Sequence, residues 1–326
     1  MKGRILAVNT GSTSTKIGFY EDGELLFEKN LTHSAEEVAK YRSVMDQGDM
    51  RRDTITDFLT EKGIALDTID VAMARGGLIT PIQTGVYEVN QEMRDALMSG
   101  KDGVHACNLS ALIADDIAME VNKAREAKGV AAKCRAFIAD PPMADEMLPE
   151  VKVGGIPEFE RRTLFHALNS RAMVRRYARS VGKTNKDVTV IVAHMGGGSS
   201  VSLHRHGLVI DTNDALGGDG PISPERAGNV PGFPLVEKCF SGNWTEAQIK
   251  KRLVGRGGAV AYFGTNDFRE LAARAEAGDQ EVETFLKGFC ISFAKYIAGL
   301  STVVCGKVDA IILRGGIAYT ERITKD

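Results

Sequence analysis

Residues 5–28, ILAVNTGSTSTKIGFYEDGELLFE, read as an apolar strand, a Gly/Ser/Thr turn, a second strand, an Asp-Gly turn and a third strand. Residues 190–212, VIVAHMGGGSSVSLHRHGLVIDT, read the same way. Tight hairpin turns demand positive φ at their centre, so Asp-Gly between apolar runs marks a hairpin. Gly11 and Gly23 lie 12 positions apart and Gly196 and Gly207 lie 11 apart, so the second turn follows the first at nearly the same interval in both stretches. A duplicated domain is the economical reading. Outward from these hairpins, the β-branched runs at 69–74, 136–139 and 308–313 join those at 5–8 and 188–193 as expected buried strands. Helical spacing fills the intervals. It is clearest at 280–304, where Val282, Phe285, Leu286, Phe289, Phe293, Ile297, Leu300 and Val304 recur every three or four residues. Alternation of the two periods predicts an α/β fold. ADPPMADEMLPEVKVGG, residues 139–155, concentrates proline and acid, so the domain boundary is expected there, with domains 1–148 and 149–326.

With 326 residues, 43% hydrophobic and 26% charged, the chain has globular composition and room for two cores. A net charge of -2 leaves no global basic field, which argues against nucleic acid or an anionic membrane as partner. No signal peptide or apolar run of membrane-spanning length is read, so a cytoplasmic chain is expected. Five cysteines without a CxxC pair fit reduced thiols.

In open α/β sheets ligands bind beyond the carboxyl ends of the strands. There the apolar runs end in Asn9-Thr-Gly11, Arg75-Gly-Gly77, Asp140-Pro-Pro142, His194-Met-Gly196-Gly-Gly198 and Arg314-Gly-Gly316. A strand that only turns has no need of Arg, Asp and His at its end. Glycines let backbone approach a phosphate, and the hydroxyls of Ser12, Thr13, Ser14, Ser199 and Ser200 add small donors. Two such turns in equivalent positions point to a phosphate clamp, although each alone reads equally well as a tight hairpin. The common phosphate motifs are absent. Gly182-Lys-Thr184 lacks the glycine five positions earlier, where Tyr177 stands, and GGGSS lacks GxGxxG spacing. DTNDAL at 211–216 puts Ala215 where a calcium loop needs an acid.

On a helix running through ERRTLFHALNSRAMVRRY, His166 falls outside the arc of Leu164, Phe165, Leu168 and Ala172, so it is expected off the core. Arg226 sits in the aperiodic SPERAGNVPG, the kind of long segment in which functional loops occur. His33, His105, His204 and His206 are left structural. Arg175-Arg176 and Lys250-Lys251-Arg252 read as solvated helix faces.

The order NTGSTSTK, RGG, FIADPP, RTLFHALNS, VAHMGGGSS, DTNDALGGDGPISPERAGNVPG, LRGGIA resembles the acetate and butyrate kinases, nearly end to end. These belong to the superfamily of acetate and sugar kinases, heat-shock cognates and actin. The RGG, ADPP, HMGGGSS and LRGGIAY variants resemble the butyrate kinases more than the acetate kinases. The resemblance implies two duplicated actin-like ATPase domains, ribonuclease H-like mixed sheets flanked by helices, with a nucleotide cleft between them. It implies a cytoplasmic homo-oligomer, dimer or higher, using ATP/ADP and Mg2+ to phosphorylate a short-chain carboxylate, butyrate first, reversibly. Acetate, propionate, isobutyrate or a sugar remain as alternative substrates, and an ATP-driven conformational module as a further reading.

By resemblance, Asn9, Gly11, Ser12, Ser14 and Lys16 form the first phosphate loop, and His194 with Gly196, Gly197 and Gly198 the second. Gly315, Gly316 and Ile317 form the turn that holds the nucleoside. Asn9 and Asp140 fall near the magnesium, His166 at the phosphoryl group, and Arg226 on that group in flight. Acetate kinases carry His-Gly-Gly with an arginine three residues earlier. Here Arg75 replaces that histidine and Ala72 that arginine, so Arg75 becomes the candidate substrate cation. Family members continue past the nucleoside turn, whereas this chain stops ten residues after Gly316, at Asp326. The expectation drawn is uncovered apolar surface, low solubility and weakened magnesium-dependent turnover.

Overall fold

The computed structural model describes residues 3–325, which divide at Ala144/Asp145 into two compact units. In the first unit, β1 (Arg4–Thr10), β2 (Ser14–Glu21) and β3 (Glu24–Thr32) form an antiparallel meander. Strands β4 (Val71–Ala74) and β6 (Arg135–Ala139) add in parallel, and β5 (Val86–Glu88) closes the sheet antiparallel to β6, giving the order β3-β2-β1-β4-β6-β5. The second unit repeats the scheme. Strands β7 (Thr189–Met195), β8 (Ser199–Arg205) and β9 (Leu208–Thr212) form the meander, and β10 (Ala310–Arg314) lies parallel to β7, in the order β10-β7-β8-β9. Each second hairpin closes on a pair with positive φ, Asp22-Gly23 (53° and 95°) and His206-Gly207 (53° and 82°). The side chains differ, yet the backbone twist that joins two right-twisted strands is the same.

Alternation along β1 and β2 buries Leu6, Val8, Ile17 and Phe19 against the helix Asn108–Ala127, whose Leu109, Leu112, Ile113, Ile117 and Val121 complete the first core. In the second unit β7 is buried on both faces. Ile191, Ala193 and Met195 meet Phe285, Leu286, Phe289 and Phe293 of the helix Gln280–Val303, and Val190 and Val192 meet Val174 and Ala178 of the helix Ala167–Ser180. A strand covered on both sides must be apolar without alternation, as TVIVAHM is.

Two expectations are corrected here, and the division of the compact units is located. The run 308–313 is not a buried strand: β10 pairs only with β7 at a sheet edge, leaving Ile311 54% and Leu313 39% exposed. His166 is not inside a helix. Leu164 bridges Asp214 and its carbonyl accepts from Ala215 N–H, so the helix begins at Ala167, with His166 as its N-cap. The compact units divide four residues before the expected 148/149, because 146–148 are bound to β9: Val209 N–H donates to Glu146 and Leu148 N–H to Ile210 carbonyl. Among the described residues no helix is long and apolar enough to cross a membrane.

Candidate active site

In the first unit, the turn after β1 is drawn tight by Gly11 N–H on Ser14 carbonyl (2.8 Å). Beneath it lies Arg51, fully buried on the helix Gly48–Glu61 in line with Ile55 and Leu59. Its Nη1 donates to the carbonyls of Gly11 (2.8 Å) and Ser14 (3.0 Å), and its Nη2 to the carbonyl of Ser12 (2.9 Å). Gln47 Oε1 accepts from Nε and Nη2. With three carbonyls held on one guanidinium, the turn is fixed from below. Asn9 stands opposite Lys16 in the β1–β2 register, and Lys16 ion-pairs with Glu28 (2.8 Å).

The register Val8–Ala74–Ile138 brings the ends of β1, β4 and β6 nearly level, so Asn9 and Arg75 fall in line with Ala139, and Asp140 follows one residue on. Arg75 N–H donates to Val8 carbonyl (3.2 Å). Its charge acts on Cys107, although burial dominates there and pushes the thiol up to about 11. Asp140 is buried, with φ of 42°. A non-glycine residue preceding proline is strained at such a φ, and strain of this kind persists where a side chain must be aimed.

In the second unit, the turn 195–199 is the counterpart. His194 stacks flat on His166, ring centroids 3.7 Å apart and 7° from parallel, and His166 Nδ1 lies 2.9 Å from Ser200 Oγ. Starting the helix at Ala167 is what frees His166 to fold onto β7. Arg226 is bonded through Nη1 to Ala215 carbonyl and lies directly on Gly198, where an added methyl would stand 2.6 Å from Nη2. Burial lowers the pKa of Arg226, but arginine remains a cation even so. Gly315, at φ of 102°, leaves no room for a side chain: a methyl would fall 2.7 Å from the Met195 carbonyl carbon. The turn after β10 is thereby seated on the turn after β7.

Where those turns meet, a cavity of about 500 Å³ opens, lined by Gly196, Gly197, Gly316, Ile317, Asp267 and Arg269 among others. Asp267 caps the helix Phe268–Glu276, and the hydrogen bond from Arg269 holds its carboxyl down at about 2. A glycine floor with a carboxylate and a guanidinium on the rim suits a phosphate tail, a diol and a flat ring.

Comparison with known proteins gives the family. Residues 157–323 match the acetokinase family. Over 320 residues the chain is 44% identical to butyrate kinase 1 of Clostridium acetobutylicum, covering 98% of this chain and 87% of that one. The chain belongs to the acetokinase family. A probable butyrate kinase of Clostridium botulinum is 42% identical over 326 residues, 100% of this acetokinase and 89% of that chain. Two solved acetate kinases share its fold: that of Porphyromonas gingivalis (TM-score 0.76, 17% identity, 99% and 87% of the two chains) and that of Entamoeba histolytica (0.77, 16%, 99% and 85%). The fold is thus the actin-like ATPase fold of that family, with mixed sheets flanked by helices.

The acetokinase brings together His166, His194, Gly198 and Arg226 around one turn, and Gly196, Gly197, Gly316 and Ile317 around one cavity. Sequence reading passed over Arg51, Ser200 as partner of His166, and the Asp267–Arg269 pair. Arg51 was open to discovery, since an arginine in register with Ile55 and Leu59 on the apolar face of a helix must have buried acceptors.

Proposed function

We propose that this acetokinase transfers the γ-phosphoryl group of ATP to a short-chain fatty acid carboxylate, butyrate first, giving butanoyl phosphate and ADP in a reversible reaction. The observation that carries this reading is the 44% identity to butyrate kinase 1 over nearly the whole chain. The 500 Å³ cavity, floored by glycines of two turns, supports a nucleotide there.

A fatty acid ionises near pH 4–5, like Asp and Glu, so at neutral pH the carboxylate is already the nucleophile and needs no general base. The barrier is charge. Two unit anions 4 Å apart repel by about 4 kcal/mol at an effective dielectric near 20. Cations cancel this repulsion. Arg226 takes the phosphoryl group in flight, because among the described residues only its Nη1 is committed to protein and the remaining donors serve the equatorial oxygens. His166, fixed through Nδ1 to Ser200 and backed by the His194 ring, acts at the same group through Nε2. Arg75 is assigned to the carboxylate, and Asn9, Gly11, Ser12, Ser14 and Lys16 to the polyphosphate. Gly315, Gly316 and Ile317 hold the nucleoside beside Asp267 and Arg269.

Asn9 and Asp140 offer one amide oxygen and one strained, buried carboxylate at the ends of strands on either side of β4. Among the described residues no three His, Cys, Asp or Glu side chains form a metal cage. So sparse a donor set suits magnesium, which keeps several waters and rests on phosphate oxygens. When bound, the ion neutralises phosphate charge. The reading extends to a cytoplasmic homo-oligomer, which size-exclusion chromatography tests.

The deciding experiment supplies C2 to C6 acids with ATP and magnesium and traps product with hydroxylamine. A hydroxamate with kcat/KM highest for butyrate is expected. Turnover of ATP without hydroxamate from any acid would overturn the proposal.

A further inference from the structure

A second cavity in the same unit, of about 630 Å³, takes no part in the reaction proposed above. Its wall carries Trp244, Gln248, Lys251, Arg252, Arg256 and Glu225. Three cations face one carboxylate, in a chain whose net charge is -2. Neighbouring Lys250 ion-pairs with Glu246, whereas among the described residues Lys251, Arg252 and Arg256 make no ion pair with a carboxylate. Glu225 does not compensate them fully, because its Oε1 accepts from Asn266 Nδ2 at 2.7 Å.

Trp244, the single tryptophan of the chain, is half-buried, and the Arg252 guanidinium lies 5.8 Å from its ring centroid. Gln248 Oε1 is taken by Thr245 N–H in a capping box, which leaves its amide N–H groups as donors. Uncompensated cations bind phosphate, and indole and guanidinium planes stack on flat rings. We propose that this pocket is a second ligand site of the acetokinase, for a purine nucleoside phosphate, separate from the cavity at Gly196 and Gly316.

Its occupancy reaches Arg226 through the backbone. Residues 253–257, between Arg252 and Arg256 or adjoining them, are bonded to both neighbours of that arginine. Glu225 carbonyl accepts from Gly255 N–H (2.7 Å) and Gly257 N–H (3.1 Å), Ala227 N–H donates to Leu253 carbonyl (2.9 Å), and Arg226 itself bridges Val254. A ligand drawing Arg252 and Arg256 onto one phosphate therefore acts on the segment that carries Arg226.

The test uses adenosine 3′,5′-bisphosphate, which has no phosphoanhydride to transfer, titrated into the full chain while Trp244 fluorescence is read. Saturable quenching is expected, with a midpoint raised at least tenfold in Lys251→Ala/Arg256→Ala and unchanged in Arg269→Ala, which alters the other cavity. Adenosine without phosphate should not quench in the same range. At saturating ATP the bisphosphate should change kcat at least twofold in the natural chain and leave the double variant unaffected. Absence of saturable quenching, an unshifted midpoint in the double variant, or an equal shift in Arg269→Ala would each sink the site. An unchanged kcat at full quenching would sink the coupling.

Discussion

Replacing Arg51 by methionine keeps the volume of a long side chain on the apolar face of the helix Gly48–Glu61 and removes every donor beneath the first turn. In the native chain the guanidinium serves the carbonyls of Gly11, Ser12 and Ser14 at 2.8–3.0 Å, and the hydroxyl of Thr15 at 3.2 Å. Methionine strands the carbonyls of Gly11 and Ser12, that of Ser14 keeping the Gly11 N–H, at roughly 1–3 kcal/mol each when left unpaired. Recovering the desolvation cost of a buried arginine offsets part of that loss, which leaves a net destabilisation of about 2–4 kcal/mol. At about 2–4 °C per kcal/mol for a unit of this size, the first-unit transition should fall by about 4–16 °C in a calorimetric scan. Arg51→Lys should recover little, because one ammonium cannot span three carbonyls. Below the new transition, KM for ATP should rise as the turn loosens, while kcat for bound substrates changes less. A methionine variant that melts within a degree of the natural chain would show that the turn holds its shape without the arginine.

Arg226→Ala should lower kcat by about 10² to 10⁴, the loss of a preorganised partner of roughly 3–5 kcal/mol, with a milder effect on ATP affinity; hydroxamate initial rates measure it, and an unchanged kcat removes Arg226 from the chemistry. Gly198→Ala should reproduce most of that loss without touching the arginine, since the added methyl displaces the guanidinium; steady-state kinetics with a circular-dichroism check of folding decides it. His204, buried and bonded to Ser202 Oγ at 2.9 Å, has its pKa lowered to about 3, by burial first and then by Arg171 and Arg175. It is neutral when folded and gains a proton on unfolding between pH 6.5 and about 3, so its contribution to stability is complete above 6.5 and lost on acidification, at up to about 1.4 kcal/mol per pH unit. Urea melts at pH 4.5, 5.5 and 7 should therefore show a shallower acid slope for His204→Gln, and equal slopes would refute the assignment.

The duplication was legible because turn chemistry is local: Asp22-Gly23 and His206-Gly207 carry their φ requirement in two adjacent residues, and the strands on either side follow. The core helices were legible for the same reason, a period set by the chain's own geometry. His166 was misplaced because a helical angle presumes a helix, and what ends this one at Ala167 is a bridge from Leu164 to Asp214, fifty positions away. No window of sequence contains that pairing. The exposed edge of β10 has a similar origin, since IIL reads as buried until the sheet order shows that only β7 lies beside it.

Arg51 and Arg226 show where sequence and structure divide the work. Both are arginines packed against a glycine turn, one in each unit, and composition treats them alike. Donor bookkeeping separates them. An arginine has five N–H groups; Arg51 spends them all, on Gln47, Gly11, Ser12 and Ser14, and so can only hold its turn in shape. Arg226, among the described residues, commits Nη1 to Ala215 carbonyl and nothing more. A half-buried guanidinium with most of its donors unspent can offer them to an arriving anion, and that difference, rather than its place in a loop, makes Arg226 the residue to assign to the moving phosphoryl group.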